Sequence, residues 1–414
     1  MRRPLSLVLL VSFLAVASNV ALCQEWSRFR GPNGDGQSDV TTIPTSFTSA
    51  DLLWKVGLPG VGNSSPVIWG DRLFLLSGDP DSGARHVLCL NIHDGRQLWQ
   101  RDYPATTHRI HLQNTLASST PVADSQHVYC AWATPEEFTM VALTHDGKEA
   151  WRASLGPFAS AHGFATSPIV YEDLVIVTND QDGDSSLIAL DSRSGKIRWQ
   201  VPRKVRPEQN ASYAAPCILQ QGGKPDQLIV CGWSHGMTSL DPKSGTVNWE
   251  LPVFERRPVG SPILVDGLIL GNCGEGSGNN DVVAVRPPTA DDPQPKQVYK
   301  IGKTSAPYVP TLIAKSSLVF LWGDKGGGSC IDAPTGKVHW RERVGGNFYG
   351  SPVRAGDSVF CVSVEGDVVA LAAEATYKLL GRSPLGETCR ATPAIAAGRM
   401  FVRTESHLVA VGKP

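Results

Sequence analysis

The 414-residue chain has only 4 methionines and no long segment in which apolar residues recur at three-to-four spacing, so helix should be scarce. A basic stripe is missing and the net charge is −1, which leaves neither nucleic acid nor an anionic membrane surface as an implied partner. No Cys-x-x-Cys or His-x-x-x-His spacing signals zinc, and no two cysteines are adjacent. The one apolar run of note, Leu5 to Ala17, is too short for a stable membrane anchor, and no transmembrane segment is expected once it is removed. What the chain has in quantity is turn formers, with 41 Gly and 30 Pro, as an ordered all-β protein requires.

The repeating unit is clearest at Leu187 to Trp199: a short apolar run, Asp191, a polar turn closing on Gly195, and a second run ending on Trp199. That is a hairpin signature, and the Gly supplies the positive φ such a turn needs. Further copies end on Trp99, Trp151, Trp249 and Trp340, with Gly95, Gly147, Gly245 and Gly336 in the turns. Two degenerate copies end on Tyr299 and Leu379. A spacing of roughly forty to fifty residues marks a blade array, in which the Trp residues dock one blade on the next.

A second element keeps phase with the first. Eight openings carry Pro before an apolar pair, at Pro66, Pro121, Pro168, Pro216, Pro262, Pro310, Pro352 and Pro393, and Pro at the first residue of a strand forfeits no ladder hydrogen bond. The expected fold is an all-β propeller of four-stranded blades, eight in number, with seven as the alternative if a degenerate unit is not a blade. Near the end, Ser406 to Val411 supplies a third strand without a fourth, whereas Asp51 to Lys55 is an outer strand without a partner. Pairing Trp54 alongside Val409 would close the ring and remove the open edges. The organisation expected is a signal peptide over 1–23, a cap segment over 24–50 and the propeller over 51–414.

The head Met1 Arg2 Arg3, the apolar core and the small residues after it predict export to the periplasm or cell envelope, with cleavage after Ala17 or Cys23. A lipidated Cys23 is disfavoured by Leu22. Eight cysteines follow Cys23, mostly on strands, where they read as buried small hydrophobes, although Cys217 and Cys231 would face each other on adjoining strands of one blade.

The loops before the openings converge on one rim of a propeller channel. His108, Arg109, His111 and Asn114 precede one opening, His162 the next, and Tyr213, Arg257, Tyr308, Asn347 and Tyr349 later ones, so together they are candidates for a polar funnel that takes a ligand. Asp180, Asp182 and Asp184 alternate around Gly183 and form a weak candidate for a cation site, the alternative being a solvated turn. The Gly-rich stretch Gly271 to Asn280 lies between strands, so it lacks the helix N-terminus a phosphate loop requires.

The Ala-Leu-Asp, Thr-Gly-Lys, Trp pattern, nearly whole at Ala189 to Trp199 and varied at Ile331 to Trp340, resembles the repeat of pyrroloquinoline-quinone (PQQ) type β-propellers. That group includes quinoprotein alcohol dehydrogenases and BamB-like assembly factors. The opening Arg30 to Gly36 and the segment Asn179 to Asp184 further resemble exported single-propeller proteins of planctomycete-type bacteria. The resemblance implies a fold more than a chemistry. In the dehydrogenases it implies a quinone in the central channel beneath a ring of two adjacent, disulfide-linked cysteines, with calcium held by Glu, Asn and Asp. Here there is no such cysteine pair, and no stretch matches the motifs of those carboxylates. The expectation is therefore an exported, non-catalytic, monomeric propeller that binds an envelope protein or a small-molecule ligand. A PQQ- and calcium-dependent dehydrogenase acting on alcohols or sugars is the alternative.

Overall fold

A computed structural model describes residues 25–206, 209–302 and 306–413; the expected signal peptide over 1–23, with both proposed cleavage positions and Cys23, lies outside the described residues. Its strands form eight sheets, seven antiparallel ones of four strands and one of five in which the extra strand is parallel. Among the described residues the only helices are two 3-10 turns, Pro32–Gly34 and Ser49–Asp51. The fold is thus an eight-bladed propeller with almost no helix. Blades one to seven are continuous in sequence, over 67–103, 122–154, 169–203, 217–251, 263–302, 313–343 and 353–384. Blade eight joins the two ends of the chain: strands at 394–412 form its inner three members and Leu52–Gly57 its outer one. Lys55 stands opposite Val409 and Trp54 opposite Ala410, so closure uses the strands the sequence singled out.

The first strand of each blade is two or three residues long, and neighbouring innermost strands adjoin around the central channel. Four Trp indoles dock on the turn of the next blade as the repeat implies. The Trp54 indole donates to the Ile92 carbonyl of blade one at 3.1 Å, Trp99 to His145 of blade two at 2.8 Å, Trp151 to Ser192 of blade three at 2.8 Å and Trp199 to Pro242 of blade four at 3.0 Å. The same turn brings Gly under the indole. A Cβ on Gly195 would stand 2.6 Å from two Trp151 ring carbons. Glycine is therefore required twice, for its φ of +68° and for ring contact.

The degenerate units solve the docking differently. Tyr299 replaces Trp in blade five, its ring on Gly336 and its hydroxyl donating to Ala333 at 2.7 Å. Trp249 meets no such turn, because residues 287–295 of blade five form a longer loop, and its indole bonds Gln227 of its own blade at 3.2 Å. Trp340 of blade six reaches Glu374 at 3.2 Å. Beside Leu379, the seam between blades seven and eight is filled by the N-terminal segment, with Thr45 against Gly381, Phe47 N–H donating to Ser383 at 2.8 Å and Thr42 donating to Gly398 at 2.6 Å.

All eight described cysteines are buried free thiols, Cys217 and Cys231 included. Burial pushes the Cys217 thiol up to about 12, so these groups behave as small apolar core residues.

Candidate ligand funnel

Upstream of the first blade, the N-terminal segment enters the channel from the end that carries the Trp turns. Trp26 is fully buried and bridges Ile68, Ser27 accepts from Ala123, and Asn33 exchanges two hydrogen bonds with Ile218 at 2.8 Å each. Gln37–Ser38 then adds to the inner edge of blade seven in parallel. Between these anchors two arginines cross the channel. Arg28 donates to Pro216, and Arg30, with no exposed surface, donates to Leu312 and Pro352 at 2.7 Å each. Pro216, Leu312 and Pro352 belong to three separate blades at the starts of their innermost strands, so two guanidiniums tie the ring together across its axis. Burial pulls the pKa of each down to about 10, which leaves both charged at neutral pH.

Phe29, between them, faces the other way and forms part of the floor of an open cavity of about 720 Å³ at the far end of the channel. Around that floor runs a ring of hydroxyls. In seven blades the residue two before the innermost strand donates its backbone N–H to the hydroxyl of its counterpart in the next blade: Ser65 to Thr120, Thr120 to Ser167, Ala215 to Ser261, Ser261 to Thr311, Thr311 to Ser351, Ser351 to Thr392 and Thr392 to Ser65, at 2.9–3.2 Å. One link is absent because Ala215 offers Ser167 no hydroxyl. The ring also corrects the alignment of blade six: Thr311 holds the hydroxyl position and Leu312 the position of Pro in the other blades, so Pro310 lies one residue early.

Above the ring, the cavity wall includes eight of the ten sequence candidates: His111, Asn114, His162, Tyr213, Arg257, Tyr308, Asn347 and Tyr349. His108 and Arg109 do not line it; His108 bonds the Thr106 carbonyl of its own loop, and Arg109 is exposed. Loops from neighbouring blades are knitted together here. The His111 and His162 rings stack at 5.0 Å, and the Asn114 amide donates to the His162 carbonyl at 2.6 Å. Arg257 is 5% exposed; it donates to His162 at 3.1 Å and to Gln209 at 2.8 Å, and its guanidinium lies 5.9 Å from the Tyr213 ring and 5.8 Å from that of Trp233. Burial, reinforced by the charge of Arg257, pulls the His162 pKa down to about 4, so the imidazole is neutral and accepts. The same burial pushes the Tyr213 phenol up to about 12.

The three alternating aspartates do not converge. Asp180 forms a buried ion pair with Arg203 at 2.8 Å. Asp182 accepts backbone N–H groups from Ala161, Asn210 and Ala211 at 2.8–3.0 Å, which hold its carboxyl below the usual range against its burial. Asp184 is exposed. Among the described residues no group of three or more His, Cys, Asp and Glu side chains could hold a metal ion. Sequence reasoning missed Phe29, Arg28 and Arg30, read only as part of a cap, and the funnel residues Lys325, Arg343 and Arg390, which carry no local motif.

A family model described as outer membrane protein assembly factor BamB matches residues 40–131, 105–286 and 303–412. The chain belongs to that family. A polyvinylalcohol dehydrogenase from a Pseudomonas species is 28% identical over 223 residues, which are 49% of this chain and 32% of that enzyme, so the chain aligns to about a third of that relative's length. BamB of Moraxella catarrhalis superposes with a TM-score of 0.62 at 16% identity, over 87% of this chain and 96% of that one. Quinohemoprotein alcohol dehydrogenase of Comamonas testosteroni superposes at 0.67 and 15% identity, over 94% and 81%. At such identities the two structures share the fold alone, and it is a fold found in both an assembly factor and an oxidoreductase.

Proposed function

We propose that this family member is an exported, non-catalytic propeller whose open funnel binds a small ligand or a segment of an envelope protein. The observation that carries the reading is the pairing of a channel plugged from one end by Arg28, Phe29 and Arg30 with a polar, half-open cavity at the other. The leader-like first residues support export. The family description supports a place in the envelope.

The match to a dehydrogenase sequence favours the alternative, a quinone enzyme. The residues present do not fit it. The chain has no adjacent cysteine pair, and its eight described cysteines are buried. The two carboxylates on the funnel wall are engaged, Glu275 with Arg256 at 3.3 Å and Asp324 with the backbone N–H groups of Tyr308 and Val309 at 2.6 and 2.9 Å. A calcium ion needs six or more oxygens, several of them charged. Mixing the protein with PQQ and calcium tests the reading. The expected result is no stoichiometric coloured complex, no rise in melting temperature and no dye reduction with alcohols or sugars. A tight coloured complex that oxidises either would replace the proposal with the alternative.

A further inference from the structure

The funnel wall carries more positive than negative charge. Four cationic side chains line it, Arg257, Lys325, Arg343 and Arg390, and none has a carboxylate partner among the described residues. The carboxylates beside them are bonded elsewhere: Glu275 to Arg256 and to the Asn279 amide at 2.6 Å, Asp324 to two backbone amides, and Asp182, whose charge reaches Arg257, to three backbone amides. This concentration of positive charge stands in a chain whose net charge is −1. Arg257 is the most demanding of the four. Other buried arginines of the chain reach carbonyls or a carboxylate: Arg30 uses Leu312 and Pro352, and Arg203 uses Asp180. Arg257 instead has a neutral imidazole, an amide oxygen and the Tyr308 hydroxyl, with its Nε unpartnered as in Arg28, Arg85 and Arg403. A desolvated guanidinium costs stability unless an anion meets it, and its planar fork is shaped for a carboxylate.

The rest of the wall is not that of an ion site. Tyr213, Tyr308 and Tyr349 contribute aromatic surface, Asn63, Asn114 and Asn347 contribute amides whose NH2 groups are bonded within the wall, and the floor is the hydroxyl ring. A volume of about 720 Å³ accommodates an organic molecule of several rings rather than a bare ion. Flat apolar faces alternating with donors and acceptors suit saccharide rings, which present both C–H faces and hydroxyls. We infer that the funnel takes an acidic saccharide, with a carboxylate of the sugar acid on Arg257 and the remaining charge answered by Lys325, Arg343 and Arg390. The inference rests on the funnel being a binding site, as proposed above, and goes further in naming the ligand chemistry.

Trp233 stands beside Arg257, so its fluorescence reports occupancy. The probe is trigalacturonate, and its control is the fully methyl-esterified trisaccharide, which keeps the skeleton and removes the charge. The acid should bind and the ester should bind at least about 10-fold more weakly, because a charge-assisted bidentate pair is lost. Arg257→Gln should weaken the acid by about 10- to 100-fold. The paired change Lys325→Gln with Arg343→Gln, at two exposed positions where folding is not at risk, should weaken it less and flatten its salt dependence. Equal binding of acid and ester overturns the inference and leaves the funnel as a binding site. Binding by neither form overturns it as well, and a coloured PQQ complex in the same preparation would overturn the functional reading beneath it.

Discussion

The hydroxyl ring makes a prediction with opposite signs at two positions. Replacing Thr311 by Val keeps the shape of the side chain but removes the acceptor for the buried Ser261 N–H, now bonded at 2.9 Å. An orphaned buried donor costs about 1–3 kcal/mol, and because the ring borders the funnel, where water can stand in, the expected loss is about 1–2 kcal/mol. Ala215→Ser does the reverse. It supplies the one hydroxyl the ring lacks, next to the Ser167 N–H, and should add about 0.5–1 kcal/mol after the entropy of fixing the new side chain. The sites belong to different links, so the double variant should equal the sum within about 0.5 kcal/mol. Thermal midpoints are blunt for a chain this long, about 1–2 °C per kcal/mol, so the assay is equilibrium denaturation in guanidinium with slopes compared between variants. If Thr311→Val is neutral and Ala215→Ser adds nothing, the ring does not contribute to holding the blades together.

Two further expectations follow from the same geometry. Gly195→Ala should cost about 3 kcal/mol or more, because its Cβ would overlap Trp151, whereas Gly70→Ala, at a φ of +55° with nothing within 4 Å, should cost about 1 kcal/mol, as denaturation of both variants would show. His162 has a folded pKa of about 4 against about 6.5 unfolded, so the unfolded chain takes up the proton first; its contribution is complete above pH 6.5 and is lost as pH falls towards 4. Allowing for solvent screening at this half-buried ring, the loss is about 1–2 kcal/mol, and His162→Gln should flatten the stability profile across that window by this amount.

The fold was legible because it is written in residues whose reasons are local. Pro before a strand, Gly in a turn and Trp at the end of a hairpin each announce a blade, and the unpaired strand at Trp54 announces closure. Legibility failed where the decisive partner is distant in sequence. Pro310 looked like an opening, but Thr311, matched to Ser261 and Ser351 in other blades, fixes the register. Asp180 to Asp184 resembled a cation loop until Arg203 and three backbone amides were placed against it. The rim was legible as a set of loops leading into openings, which placed eight of ten candidates on one wall, whereas Lys325 and Arg343 sit in turns and strand ends that only the ring brings inward. Arg28 and Arg30 showed no sign of their role, since their acceptors are carbonyls and any residue supplies one.

Everything rests on a channel stoppered by the N-terminal segment, with Phe29 presented to the funnel as its floor. Phe29→Cys in a Cys23→Ser background tests this directly, because the eight other thiols are buried. The account predicts that a maleimide labels residue 29 in the folded protein while the native thiols stay silent, and that saturating trigalacturonate slows the labelling. A residue 29 that is inert until the protein unfolds, or that reacts equally fast with the funnel filled, would contradict it.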